Sequence, residues 1–276
     1  MTTTVFIPAH ITGFFTIYEN SDLLKKGSCG AGFLLDKGVK TTIKESSFFD
    51  IEFNQGSDII INEVLKYFDV NDSFKIIQDI QVPIGRGFGT SAASALSLTY
   101  SLNEFFDYGY SKLECGQIAH KVDVGLGGGL GDVIAQTGSG IVLRTHAGAP
   151  GIGKIKSFDE KIIVGVKSYG DIDTSSVIGD ENYKQVISKT GFLCLEDFKT
   201  TPNVDNFLKL SVRFSENIGL MTSEVHSLIK YFNSCDDILG SSMAMLGNTV
   251  FAFSDNESAF KDLNIENINI YQLYRK

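Results

Sequence analysis

The sequence predicts an α+β protein of two domains, and three observations point there. An Ile- and Val-rich run at residues 74–82 passes through a glycine-alternating loop, Pro83-Ile84-Gly85-Arg86-Gly87-Phe88-Gly89-Thr90-Ser91-Ala92-Ala93, into a helical pattern at 91–106. The N-terminal stretch is strand material suited to antiparallel pairing, and after residue 150 the texture changes to a mixture of helices and short strands. A chain of 276 residues buries a substantial core, and a boundary near 150–156 divides it into units 1–152 and 153–276.

In chain order, residues 5–7 and 12–17 read as strands, and the glycine cluster at 27–32 is expected to interrupt before Phe33-Leu34-Leu35 begins another. His10 is a candidate ligand contact, with a packed structural histidine as the plainer reading. Ser28 lies in a loop whose glycines let backbone come close, which suits a small polar substrate; an ordinary turn serine is its plainer reading. Residues 58–67 and 111–124 suit amphipathic helices.

The loop at 83–93 reads as a phosphate cradle. Gly85, Gly87 and Gly89 can take positive φ and carry no Cβ, so the backbone can curl around an anion with its N–H groups inward. Thr90 or Ser91 is expected to cap the helix, whose unpaired first-turn amides add partial positive charge. The dinucleotide fingerprint G-x-G-x-x-G fits poorly, because the third glycine arrives one residue early. A P-loop match at Gly148-Ala149-Pro150-Gly151-Ile152-Gly153-Lys154 lacks the metal-binding hydroxyl, with Ile155 in its place, and the segment after Lys154 reads as a strand.

The second helix runs into Gly125-Leu126-Gly127-Gly128-Gly129-Leu130-Gly131-Asp132, a run costly to order, whose use is to bring Asp132 up to a ligand; a helix N-cap is the competing reading. His120 and Asp123, three apart, share one helical face and can point at the same place. Residues 141–144 form a strand ending in Arg144, whose guanidinium can grip a carboxylate with two parallel hydrogen bonds. An exposed strand arginine is the alternative. Further on, 161–168 reads as a strand, 174–189, 203–217 and 222–232 as helices, 241–245 and 249–253 as strands joined at Leu246-Gly247-Asn248, and 268–271 as a last strand.

The formal net charge of −9 argues against a nucleic-acid surface, so anionic ligands must be met by a few positioned cations. Cys29, Cys115, Cys194 and Cys235 have no C-x-x-C spacing and the four histidines are scattered, which indicates neither zinc nor a disulfide framework and suits a reducing cytoplasm. Neither a signal peptide nor a membrane-spanning stretch is expected.

The loop resembles the second motif of the GHMP small-molecule kinases, Pro-x-x-x-Gly-Leu-Gly-Ser-Ser-Ala, with Phe88 for Leu and Thr90 for the first Ser. Pro8-Ala9-His10-Ile11-Thr12-Gly13-Phe14-Phe15, with Gly27-Ser28-Cys29-Gly30-Ala31-Gly32, is similar to one branch of that superfamily, the archaeal pantoate kinases. The resemblance spans most of the chain. It implies a GHMP kinase fold, an N-terminal ribosomal protein S5 domain 2-like domain followed by a C-terminal ferredoxin-like domain. It implies ATP on Pro83, Gly85, Arg86, Gly87, Phe88, Gly89, Thr90, Ser91 and Ala92. Mg²⁺ would sit on Ser91 and Asp123, where aspartate stands for the family's longer glutamate. Asp132 is the implied catalytic carboxylate, and His120 and Arg144 join Ser28 and His10 as substrate contacts. The third motif, a glycine-rich loop in the superfamily, is here Ser241-Ser242-Met243-Ala244-Met245-Leu246-Gly247-Asn248, nearer the form of that branch.

The implied activity is ATP-dependent phosphorylation of the primary hydroxyl of pantoate, giving 4-phosphopantoate for coenzyme A synthesis in an archaeon. Two alternatives stay open: a GHMP kinase for another small alcohol, homoserine or a mevalonate-pathway intermediate, and a non-catalytic nucleotide-binding regulator of the same fold. The expected partners are ATP and pantoate, without nucleic acid or membrane; a homodimer is left open.

Overall fold

A computed structural model of the chain describes residues 1–70, 73–170, 180–263 and 265–276. Two long strands, β1 (Thr2–Tyr18) and β2 (Gly27–Glu45), pair antiparallel almost end to end. The sequence suggested shorter pieces. Each strand instead continues through its irregularities, which are register shifts between Pro8 and His10 and between Thr12 and Phe14. The glycines at 27–32 do not interrupt β2; Gly30 and Gly32 mark places where β1 crosses too closely for a side chain, and Gly27 lies against the backbone of Gly148. A Cβ on Gly32 would meet His10 Nε2 at 2.4 Å, and one on Gly30 the Phe14 carbonyl oxygen at 2.2 Å.

The remaining strands of this sheet are β3 (Asp50–Phe53), β4 (Phe74–Ile80), β5 (Ile141–His146) and β6 (Lys154–Phe158), in the order β3-β4-β2-β5-β6 with β1 on β2. Helices α1 (Ile59–Leu65), α2 (Thr90–Phe106) and α3 (Lys112–Gly125) pack with it through a core that includes Ile7, Val39, Ile76, Leu96, Leu98 and Leu102. Helix α3 begins where the sequence places it: Ser111 and Glu114 form a capping box. A single turn, α4 (Asp132–Ala135), follows the second glycine run. The stretch after Lys154 is strand β6, so the P-loop-like match at 148–154 lacks its helix.

A second, antiparallel sheet has the order β10-β7-β9-β8, from β7 (Ile163–Gly170), β8 (Gly240–Met243), β9 (Asn248–Ser254) and β10 (Asn269–Gln272). Its helices are α5 (Glu181–Thr200), α6 (Val204–Ile218), α7 (Ser223–Phe232) and α8 (Ser258–Lys261). Helix α5 runs to Thr200 rather than stopping near 189, because Ile187, Cys194, Leu195 and Phe198 keep its buried face going; 174–179 of the expected helix lie outside the described residues. The change of sheet falls between Phe158 and Ile163, and one hydrophobic core spans it. Phe33 of β2 lies 4.9 Å, ring to ring, from both Phe251 and Phe253 of β9, so the two sheets are locked together by edge-on aromatic packing.

Candidate active site

The irregularities of β1 aim backbone groups at two loops. Next to the first register shift, the His10 N–H donates to the Phe88 carbonyl in the glycine loop at 3.0 Å. At the second, the Thr12 carbonyl accepts the Met245 N–H, also at 3.0 Å, from the turn joining β8 and β9. The 83–89 loop and the 244–247 turn are thus pinned to the same strand from opposite halves of the chain. A Cβ on Gly247 would strike the Arg86 carbonyl oxygen at 2.2 Å, so the two loops also touch each other.

Gly85, Gly87 and Gly89 have φ of +75°, +82° and +59°, the left-handed region that glycine alone enters freely. Gly89 is itself the N-cap of α2, and no side chain caps the helix. The expected hydroxyl caps are used elsewhere. Thr90 Oγ1 donates to the Pro83 carbonyl at 3.2 Å, closing the loop on itself, and Ser91 Oγ donates to Asp123 Oδ1 at 2.6 Å. The first-turn amides of α2 therefore have no side-chain acceptor beside a cavity of about 260 Å³, lined by Gly85, Gly87, Gly89, Thr90 and Ser91 on the loop side.

Gly128, Gly129, Gly131 and Asp132 line the same cavity. Asp132 is the first residue of α4 rather than its N-cap, which is Gly131, so its carboxylate is free for another use. A Cβ on Gly89 would lie 3.1–3.2 Å from the carboxyl atoms of Asp132, which puts this carboxylate in contact with the glycine loop.

His10 Nδ1 lies 2.5 Å from Asp132 Oδ1, and Arg144 Nη1 lies 3.2 Å from His10 Nε2. Since a guanidinium only donates, Nε2 is the acceptor and the ring proton sits on Nδ1, donated to Asp132. Burial lowers the pKa of His10 against the pull of Asp132, in keeping with this neutral tautomer. For Asp132, burial would raise the pKa, but the hydrogen bond from His10 and the charge of Arg144 hold the carboxyl below its ordinary range. His10 is fully buried and does not line this cavity; its ring contacts Asp132 and Arg144, which do.

Arg144 is 1% exposed and reaches the cavity wall from β5, which removes the exposed-arginine reading. Its Nε is buried without a partner. A Cβ on Gly131 would meet Ser28 Oγ at 2.4 Å and Arg144 Nε at 2.7 Å, so the hydroxyl and the unpaired guanidinium nitrogen lie side by side against Gly131, and all three residues line the cavity. That pair is suited to an anionic oxygen ligand.

Asp123 is 2% exposed and sits behind Ser91 and Gly128, with Oδ2 lacking any partner. Burial first, and then the negative charge of Asp132, push its pKa up from 3.8 to about 8, against the Ser91 hydroxyl. The unfolded chain releases this proton near pH 4 while the folded protein keeps it, so the contribution of Asp123 to folding stability falls as pH rises from about 4 to about 8. Between pH 6.5 and 8, with the titrations of His10 and His120 common to both proteins and so cancelling in the comparison, Asp123→Asn is expected to gain stability on the wild type in metal-free buffer. Thermal melts of both proteins across that range check it; parallel pH curves would contradict it.

An orphaned buried carboxylate oxygen beside a serine hydroxyl fits a hard divalent cation, which would neutralise the charge that burial disfavours. Among the described residues no cluster of three His, Cys, Asp or Glu side chains is present, so such a cation would complete its shell from ligand oxygens and water.

Other expected site residues lie elsewhere. His120 does not line the cavity: its Nε2 is 3.1 Å and 3.0 Å from the Leu23 and Lys26 carbonyls, and it ties down the turn before β2. Its shared face with Asp123 is real, but a helical turn is wide enough to send the two side chains to different neighbours. Pro83 and Arg86 line a second depression of about 680 Å³, with Gln55, Val82, Asn269 and Tyr271, and Ala92 is buried in the core of α2. Thr12, Phe15, Ile84, Leu130, Met245 and Leu246 line the first cavity without having been expected there. For Met245 and Leu246 the signal was available, since they lie inside the stretch compared with the superfamily's third motif.

Among the described residues no helix is long and apolar enough to cross a membrane. The family model for the GHMP kinases N terminal domain matches residues 58–140. A pantoate kinase from Methanocaldococcus jannaschii is 36% identical over 269 residues, covering 95% of this chain and 96% of that protein. A solved structure described as a phosphotransferase related to the CoA biosynthesis pathway superposes with a TM-score of 0.88 at 30% identity, covering 100% of this chain and 97% of the other. The mevalonate kinase of Methanococcus jannaschii, 16% identical over 100% of this chain and 99% of its own, has a TM-score of 0.72, a likeness of fold.

Proposed function

This chain belongs to the pantoate kinases of the GHMP superfamily, and from that membership and the geometry above we propose that it transfers the γ-phosphoryl group of ATP to (R)-pantoate, giving (R)-4-phosphopantoate for coenzyme A synthesis. The observation that carries the reading is the contact between Gly89 and the Asp132 carboxylate, which sets an amide-lined anion cradle and an acceptor-side carboxylate in one cavity. The amides of residues 85–91 hold the phosphates. Arg144 Nε and Ser28 Oγ take the pantoate carboxylate, leaving its primary hydroxyl toward Asp132.

The hydroxyl oxygen attacks the γ-phosphorus, the bond from that phosphorus to the β,γ-bridging oxygen breaks, and ADP leaves. The hydroxyl proton passes to Asp132. A carboxylate held below its ordinary pKa is a weak base, which suits a loose transition state in which the proton is lost late and alignment does most of the acceleration. Ser91 and Asp123 would hold Mg²⁺, which supplies charge neutralisation to the phosphate oxygens when bound.

A cavity of about 260 Å³ is below the usual size of a ligand site and too small for ATP with its acceptor, so the nucleoside extends past Ile84, which lines both depressions, into the second. Replacing Asn269 by Trp at its rim is expected to weaken ADP binding several-fold and leave inorganic tripolyphosphate unaffected in calorimetry; equal weakening of both would place the base elsewhere. The activity itself is tested by ADP release over a panel of small hydroxy acids. Pantoate-dependent release is expected; turnover of homoserine or mevalonate with none of pantoate would overturn the substrate, and no stimulation by any acceptor would favour a non-catalytic binder.

A further inference from the structure

Resting on the pantoate kinase reading, we propose that Leu246 is a specificity-determining residue whose side chain, with Phe15 and Met245, forms the apolar wall that recognises the two methyl groups on C3 of pantoate. Among the described residues, three that are not glycine have φ in the left-handed region: Asp107 at +52°, Asn267 at +57° and Leu246 at +63°. Asp and Asn tolerate that conformation through local hydrogen bonds. Leucine does not.

Leu246 is the third residue of a turn closed by the Gly247 N–H on the Ala244 carbonyl at 3.2 Å, a position where glycine or asparagine is usual. The glycine next to it is needed where it stands, since a Cβ at 247 would strike the Arg86 carbonyl. Residue 246 is not buried in that way: it is half-buried, rests partly against the main hydrophobic core, and lines the reacting cavity. A backbone held against its preference at a ligand site points to a use for the side chain it carries.

The cavity supplies that use. Ser28, Arg144 and Asp132 give it polar groups for a carboxylate and a hydroxyl, whereas Phe15, Met245 and Leu246 give it an apolar side. Pantoate has the matching division, with a carboxylate at one end, a primary hydroxyl at the other, and a quaternary carbon bearing two methyls between them. The methyls have no polar partner to find and gain from apolar contact.

Leu246→Gly separates this role from a structural one, because glycine takes φ +63° without strain, which offsets the lost contact of Leu246 with the core, and the free protein is expected to keep a Tm near that of the wild type. kcat/KM for pantoate is expected to fall about tenfold, while that for 2,4-dihydroxybutanoate, the same acid without the methyls, changes by less than about twofold. Leu246→Asn, also at ease in the left-handed region but polar, is expected to show the same loss of discrimination. An unchanged ratio between the two acids, an equal fall for both, or a lowered Tm in both variants would overturn the assignment. Wild-type protein that turns over neither acid would overturn the pantoate reading as well; turnover of pantoate with an unchanged ratio would sink this inference alone.

Discussion

Asp132→Asn is expected to lower kcat by about a thousandfold while leaving ATP affinity within about twofold of wild type. The substitution keeps the size of the side chain, and the asparagine carbonyl can still accept the proton on His10 Nδ1, so the fold and the glycine loop are undisturbed. What changes is the group facing the acceptor. An amide cannot take the hydroxyl proton, and its N–H₂ end donates where the hydroxyl also needs to donate. Steady-state ADP release gives kcat, and calorimetric titration with ATP in the absence of pantoate gives the affinity. Wild-type turnover would remove Asp132 from the mechanism, and a parallel loss of ATP binding would mean that it supports the cradle rather than the acceptor.

The second large effect is expected at Arg144. Arg144→Lys should raise the KM for pantoate about a hundredfold with the KM for ATP unchanged, since losing one partner of a buried charged hydrogen bond costs on the order of 2–5 kcal/mol. The guanidinium does two things from one fixed plane: Nη1 donates to His10 Nε2, fixing the tautomer that binds Asp132, and Nε stays unpaired beside Ser28 Oγ. A lysine ammonium keeps the charge but is a single point on a flexible stem and cannot serve both directions. Initial rates over a matrix of the two substrates separate the constants. An unchanged pantoate KM, or an equal rise for ATP, would place the substrate carboxylate elsewhere.

Much of this site was legible in the sequence because its parts are local. A strand, a loop with glycine at 85, 87 and 89 and a small-residue helix succeed one another within about thirty residues, and the positive φ of all three glycines is in keeping with their residue type. The capping box at Ser111 and Glu114 is equally local. The relay from Arg144 through His10 to Asp132 was not legible, since its bonds join residues 134 and 122 positions apart and depend on how β1 crosses β2 and β5. For the same reason the sequence left His10 between a ligand contact and a packed structural histidine, whereas the fold buries it between Asp132 and Arg144.

Glycine misled in one place for a definite reason. In a single sequence a glycine cluster signals a break, but Gly30 and Gly32 lie within a strand and make room for β1, a requirement set by a neighbour that the local pattern does not contain. Asp123 and His120 show the limit of helical spacing. Three residues apart they share a face, yet one reaches Ser91 and the other the carbonyls of Leu23 and Lys26.

The most direct measurement is the phosphorus NMR spectrum of the product formed from ATP and pantoate by the wild-type protein. If the cradle at 85–91 delivers the γ-phosphoryl group to the hydroxyl beside Asp132, a new phosphate-ester resonance appears, split by the two protons of the C4 methylene group. Release of inorganic phosphate without an ester, or an ester split by the single proton at C2, would contradict the alignment on which the mechanism depends.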